Sequence, residues 1–216
     1  MTNFLKILLL YLILQYVLLS IEEGCDPVNK IYCFDLSELP NGLEGFRNKN
    51  SFLPFLKLID NFDARYQPIA NDDAVFTFLT NKDAPKYKLV RVDLRKPNTW
   101  IDVIQESEKD VLESAYVVNR NQLIVSYMSD VKYVLQVRNL QTGSLQYQLP
   151  IDIGTVGGIS ARREDSVFFF SFTGFLTPGI IYQCNLGTQI PDVKIFREIV
   201  VPGFDRSDFH VNQVRN

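Results

Sequence analysis

The sequence predicts an all-β fold: a partial β-propeller of about four four-stranded antiparallel blades behind an apolar N-terminal leader. Three observations carry this expectation. A strand–turn–strand pattern recurs four times, as Tyr16 to Leu36, Ala74 to Leu94, Asn121 to Leu140 and Ser166 to Leu186. Each copy closes on Asp-Leu or Asn-Leu, with the leucines at 36, 94, 140 and 186, so the intervals are 58, 46 and 46 residues. No segment between the copies carries a convincing helical period. Units of about 40 to 50 residues built from strands alone are the signature of a radially repeated sheet.

In chain order, the leader comes first. Residues 1–15 show neither period-2 alternation nor a turn signal, so they are expected to lie outside the blades and to leave the first blade without its innermost strand. The run Phe4 to Leu19 has the length of a signal-peptide core. Lys6 and Gln15 interrupt it, and it falls short of the roughly 20 apolar residues of a spanning helix. A clear small-x-small cleavage site is missing, and cleavage after the run would remove a strand of the first copy. A cytoplasmic protein with no membrane partner is therefore expected, with secretion as the alternative if the leader is a signal peptide.

The first copy turns at Glu22 to Asn29, and a polar loop from Ser37 to Ser51 accounts for the longer first interval. Phe55 to Asp60 alternates as an outer strand. Ala64 to Ala70 opens the second unit, which closes through a turn containing Pro97 and the outer strand Trp100 to Ile104. Gln105 to Glu113 reads as a loop or a marginal helical turn. In the third unit, Ala115 to Val118 precedes a hairpin that turns at Ser129 to Lys132, and Gln141-Thr-Gly143 leads back into Leu145 to Leu149. Thr155 to Ser160 opens the fourth unit, and Val193 to Val201 ends it. Gly154, Gly157 and Gly158 there suit either crowded strands or an ordinary loop.

Composition narrows the function classes. With 46% hydrophobic and 12% aromatic residues the chain can bury a core. A net charge of −3 with both signs interleaved argues against a phosphate-binding surface, so no nucleic-acid partner is expected. Cys25, Cys33 and Cys184 are odd in number and widely spaced, which fits neither a disulfide framework nor a zinc site. They read as small apolar residues in a reducing compartment, and no metal or other cofactor is expected.

Catalytic chemistry is hard to find. His210 is the sole histidine, so a Ser207-x-x-His210 pair near the C-terminus is the one place where a nucleophile and a base stand close in sequence. The nearest approach to a nucleophile elbow, Gly158-Ile-Ser160-Ala-Arg162, ends in arginine. Phosphate-binding and metalloprotease motifs are missing, and the acidic residues are scattered one per turn. No catalytic residue is assigned. Cys25 differs from the other cysteines because it sits on a polar turn, open to a ligand or to modification. The neighbouring Glu22, Glu23 and Asp26 surround it with negative charge, which argues against nucleophilic catalysis.

Five stretches carry a family resemblance: EGCDPVN (Glu23 to Asn29), LKLIDNF (Leu56 to Phe62), SEKDVLE (Ser107 to Glu113), LTPGIIYQCNL (Leu176 to Leu186) and FREIVVPGFDRSDF (Phe196 to Phe209). Together they resemble prolyl oligopeptidase, the proline-specific serine endopeptidase family, over about nine-tenths of the chain from Tyr16 to Val214. That family joins a seven-bladed propeller to an α/β-hydrolase domain carrying Ser, Asp and His. The resemblance implies a division into leader (1–15), the last four blades (16–201) and the start of re-entry into the hydrolase (202–216). It also implies a gate that admits short proline-containing peptides, and a fragment inactive without its missing hydrolase domain. The alternative is a truncated propeller that acts as a protein-interaction module, its exposed blade edges expected to self-associate. By the same resemblance Cys25 matches a cysteine facing the cavity between the domains. Glu22 stands where the family usually has an arginine that helps hold the peptide, so a donor has become an acceptor.

Overall fold

A computed structural model describes residues 6–13, 15–39, 42, 44, 53–203, 205 and 208–211. Among them, sixteen strands form four antiparallel four-stranded sheets, each a simple meander in chain order. The first sheet is β1 (Lys6–Ile13), β2 (Tyr16–Glu23), β3 (Asn29–Asp35) and β4 (Leu56–Ile59). The second is β5 (Tyr66–Asp72), β6 (Val75–Thr80), β7 (Lys88–Asp93) and β8 (Trp100–Ile104). β9 (Val111–Val118), β10 (Gln122–Ser129), β11 (Lys132–Asn139) and β12 (Leu145–Gln148) form the third. The fourth is β13 (Thr155–Ser160), β14 (Val167–Gly174), β15 (Thr177–Asn185) and β16 (Asp192–Glu198). A 3₁₀ turn, Leu36–Glu38, follows β3.

The largest departure from expectation is at the start. Lys6–Ile13 is not outside the blades: it is the first strand of the first sheet, in register with β2 from Lys6↔Glu23 to Ile13↔Tyr16. A continuous apolar run is compatible with a leader and with a strand alike, and only its pairing decides. Residues 1–5 lie outside the described residues, as does much of the Ser37 to Ser51 loop. Of the two readings of Gln105 to Glu113, the loop holds as far as Asp110, and the smaller departure is that β9 begins early, at Val111. Pro68 is accommodated in β5 because that strand pairs on one side only and carries a register shift between Pro68 and Ala70.

The recurring Asx-Leu pair has a common physical cause. In every sheet the Asx ends the third strand opposite the first residue of the second, as Tyr16↔Asp35, Val75↔Asp93, Gln122↔Asn139 and Val167↔Asn185. Its side-chain oxygen accepts the N–H two residues on: Ser37 onto Asp35 at 2.8 Å, Arg95 onto Asp93 at 3.0 Å, Gln141 onto Asn139 at 2.9 Å and Gly187 onto Asn185 at 2.8 Å. The leucine N–H then donates to the carbonyl just before the second strand: Gln15, Ala74, Asn121 and Ser166, at 2.8 to 2.9 Å. The Asx turns the chain while the leucine amide ties the turn to the sheet.

The chain divides into two compact units, Met1–Asp102 and Val103–Asn216. In the first, Leu18 of β2 and Ile31 and Cys33 of β3 pack against Phe76 and Phe78 of β6 and Val90 and Val92 of β7. These are alternate positions on facing strands, the pattern of two sheets stacked face to face. Tyr16 meets Phe76 edge-on with ring centroids 5.3 Å apart, a favoured aromatic geometry. In the second unit, Ile124, Leu135 and Val137 face Phe168, Phe170, Phe172 and Cys184 in the same way. Both faces of β6 and β10 are buried over most of their length, whereas the outer strands β12 and β16 are largely exposed.

Of the three glycines near β13, Gly154 is required by close approach and Gly157 is crowded only by a rotatable hydroxyl. A Cβ at Gly154 would lie 2.4 Å from both the Phe172 ring and the Thr173 carbonyl, and one at Gly157 would lie 2.5 Å from Ser171 Oγ. Gly158 has open space around it. The far face of the fourth sheet, turned away from the Phe168–Phe172 core, carries Phe169 packed edge-on against Phe196 at 5.2 Å. Ile181 and Ile199 extend this apolar surface, and Phe196 and Ile199 are 62% and 58% exposed.

Candidate functional site

The β2–β3 turn, Gly24 to Val28, holds the sequence-derived candidates. Gly24 takes φ of 71°, and the Val28 N–H closes onto the Asp26 carbonyl at 2.8 Å, a tight reversal that leaves Cys25 exposed at its tip. Glu22 pairs with Asn29 at the last rung of the hairpin. Strand alternation puts Glu22 on the face of Leu18 and Ser20, and puts Glu23 on the other. An open recess of about 660 Å³ is lined by Glu23, Gly24, Cys25, Asp26, Pro27, Val28 and Phe62. Cys25 thus lies in the recess with two carboxylates, while Glu22 is not part of its lining.

Asn29 anchors this turn. Its side chain, 3% exposed, donates to Ser20 Oγ at 2.7 Å and to the Tyr66 carbonyl at 3.0 Å, and accepts the Tyr66 N–H at 2.7 Å. One amide therefore ties β2 and β3 to the first residue of β5. Asn81 repeats the device from the β6–β7 turn: it accepts the Arg65 N–H at 2.7 Å and donates to the Pro27 carbonyl at 3.3 Å. The recess is held by two asparagines at its base. Sequence reasoning assigned neither, although an asparagine opening an apolar strand is a poor β-former whose burial demands partners.

The opposite wall is set by charge. Lys30 Nζ lies 5.0 Å from the Phe62 ring centroid and 3.1 Å from Asp60. Asp60 also accepts from Tyr32 Oη and from Lys57 Nζ, the latter at 3.1 Å. The Tyr32 hydroxyl first, then the two lysines, hold the Asp60 carboxyl well below the usual range, and the same bond raises the Tyr32 phenol. Burial pushes the thiols of Cys33 and Cys184 up to about 12, which makes them inert and leaves Cys25 as the exposed one.

The arrangement presents one exposed thiol in an open recess beside the carboxylates of Glu23 and Asp26. Among the described residues no group of His, Cys, Asp and Glu is placed to hold a metal ion. His210 lies in the second unit beside the β14–β15 turn, in a cavity with Asp152, and Ser207 lies outside the described residues.

Comparison with known proteins agrees with the topology. A family profile described as prolyl oligopeptidase, N-terminal beta-propeller domain, matches residues 14–195. Prolyl oligopeptidase A of Amanita bisporigera is 31% identical over 204 residues, covering 93% of this chain and 25% of its own length. The dual function macrocyclase-peptidase POPB of the same fungus is 30% identical over 75% of the chain and 22% of its own length. The solved structure of prolyl oligopeptidase B from Galerina marginata, bound to a 35mer hydrolysis and macrocyclization substrate, superimposes with a TM-score of 0.83 at 24% identity. It covers 95% of this chain and 28% of that one. The chain thus spans about a quarter of the length of these relatives. By its profile match and its four meander sheets, this chain belongs to the prolyl oligopeptidase N-terminal β-propeller family.

Proposed function

We propose that this chain is the substrate-gating propeller of a serine endopeptidase that cleaves short peptides after proline. The family match over residues 14–195 carries the reading, and the names of its relatives as prolyl oligopeptidases and macrocyclase-peptidases support it. Hydrolysis belongs to an α/β-hydrolase partner domain, toward which residues 202–216 lead. The propeller excludes water and bulky substrate from the nucleophile, the conventional task of a lid. Cys25 lines the peptide path from the tip of its turn, and Glu22 sets the local charge from the neighbouring rung. The 216 residues by themselves carry out no hydrolysis, a reading supported by a sequence with one histidine and no nucleophile elbow. Three free thiols support a cytoplasmic setting, and the reading includes no nucleic-acid or membrane partner. Purified chain is expected to leave a short proline-containing fluorogenic peptide uncleaved. Turnover above buffer that survives repurification would overturn the division of labour.

One observation favours a second role as an interaction module. The far face of the fourth sheet exposes Phe196, Ile199 and Ile181 together, and adjoining apolar side chains of this kind draw a partner surface. Self-association is the expected result. Sedimentation velocity should show concentration-dependent association that Phe196→Asp abolishes, and a monomer at all concentrations would remove this role.

A further inference from the structure

The second unit contains a cavity of about 420 Å³ that the peptidase reading leaves unused. One wall is the β14–β15 turn, with Phe175 at its tip 91% exposed and Phe172 at the base fully buried. The other wall is the returning segment Phe209–Val211, and Asp152 closes the side. Its volume lies in the range of small-ligand sites, about 300 to 1,000 Å³.

The chemistry of the lining selects the ligand. Among the described residues of the lining, Asp152 is the carboxylate, and no lysine or arginine is found there. Phe172, Phe175 and Phe209 belong to the same lining, Phe172 buried at its base and Phe175 exposed at its rim. A carboxylate beside several aromatic rings attracts a cation by direct pairing and by the ring quadrupoles, while apolar walls favour a hydrocarbon stem. Anions meet repulsion from Asp152, and a neutral apolar group would leave that carboxylate without a counter-charge. We infer that this cavity binds an ammonium group carried on an apolar stem. A lysine side chain and a peptide N-terminal amine both offer that chemistry. The site is separate from the Cys25 recess, which lies in the other unit.

His210 makes the inference directly testable, because the only imidazole in the chain belongs to the cavity lining. The two carbon-bound ring protons of His210 can be followed by NMR on the intact chain at pH 7.0. Nα-acetyl-lysine amide offers the side-chain ammonium, leucine amide offers the α-ammonium, and Nα-acetyl-norleucine amide is the neutral isostere. Saturable shifts are expected with one or both ammonium probes and not with the isostere, and the stronger of the two identifies the source. Asp152→Asn should raise the Kd about fivefold, the scale of one exposed charge pair, and Phe175→Ala should raise it by a smaller factor. Both positions are exposed, so both variants retain the fold. Equal shifts with the norleucine probe, an unchanged Kd in Asp152→Asn, or no saturable shift with either ammonium would each overturn the assignment.

Discussion

Replacing Asn29 with alanine tests how the Cys25 turn is held. The substitution removes three hydrogen bonds and leaves the Tyr66 N–H, the Tyr66 carbonyl and the Ser20 hydroxyl without this partner in a buried site. At about 1 kcal/mol for each group so deprived, the loss is about 3 kcal/mol. Trp100 gives a local readout. It is the only tryptophan, and its ring lies 5.8 Å from Tyr66, the residue that Asn29 clamps. Urea unfolding followed by Trp100 fluorescence should therefore show a midpoint lower by about 1–2 M, with little change in slope. Ser20→Ala alone should cost about 1 kcal/mol and add little on top of Asn29→Ala, since the two share a bond. In the absence of urea the variant should also label faster at Cys25 with a thiol reagent, while Cys33 stays protected by its burial. A loss below about 1 kcal/mol by Trp100 would refute the clamp, because water would then be satisfying those groups.

Three further outcomes follow from geometry. Val131 occupies a two-residue hairpin turn at φ of 63° and is 90% exposed, a conformation that suits glycine and penalises a β-branched residue; Val131→Gly should raise stability by about 1 kcal/mol in thermal unfolding by circular dichroism. Asn139→Ala removes the oxygen that accepts both the Gln141 and Thr142 N–H groups and should cost about 1 kcal/mol in the same measurement. The Asp60 carboxyl has a lowered pKa, so its contribution is present above the unfolded carboxylate value of about 3.9 and fades as pH falls through its lower folded value. Asp60→Asn should flatten the acid limb of the stability curve measured at Trp100, and an unaltered limb would contradict that linkage.

The repeat was legible because its signal is local. Each Asx-Leu pair performs its turn and its tie within one hairpin, so the motif survives in sequence even where the neighbouring strands have diverged. β1 was illegible for the complementary reason. KILLLYLI lacks alternation, and the two residues before β2, Leu14 and Gln15, include none of the usual turn formers. Asn29 was missed because its partner Tyr66 lies 37 residues away, beyond any local pattern. Cys25 could be placed on an open turn from its polar neighbours alone, whereas the recess around it depends on Phe62, which only the folded chain brings near. The Phe175–His210 cavity had no sequence signal, since its walls come from segments more than 30 residues apart.

The four closing latches have an evolutionary corollary. Because donor and acceptor of every leucine tie belong to the same sheet, a stretch copied or excised from one closing leucine to the next carries that tie with it. Recombination at Leu94, Leu140 or Leu186 would keep every tie, while the fourth strand of each sheet would be exchanged for its equivalent in the next repeat. Gene segments of this kind can lengthen or shorten an array by four strands at a time, and the equal 46-residue intervals between those leucines have the form that such duplication leaves.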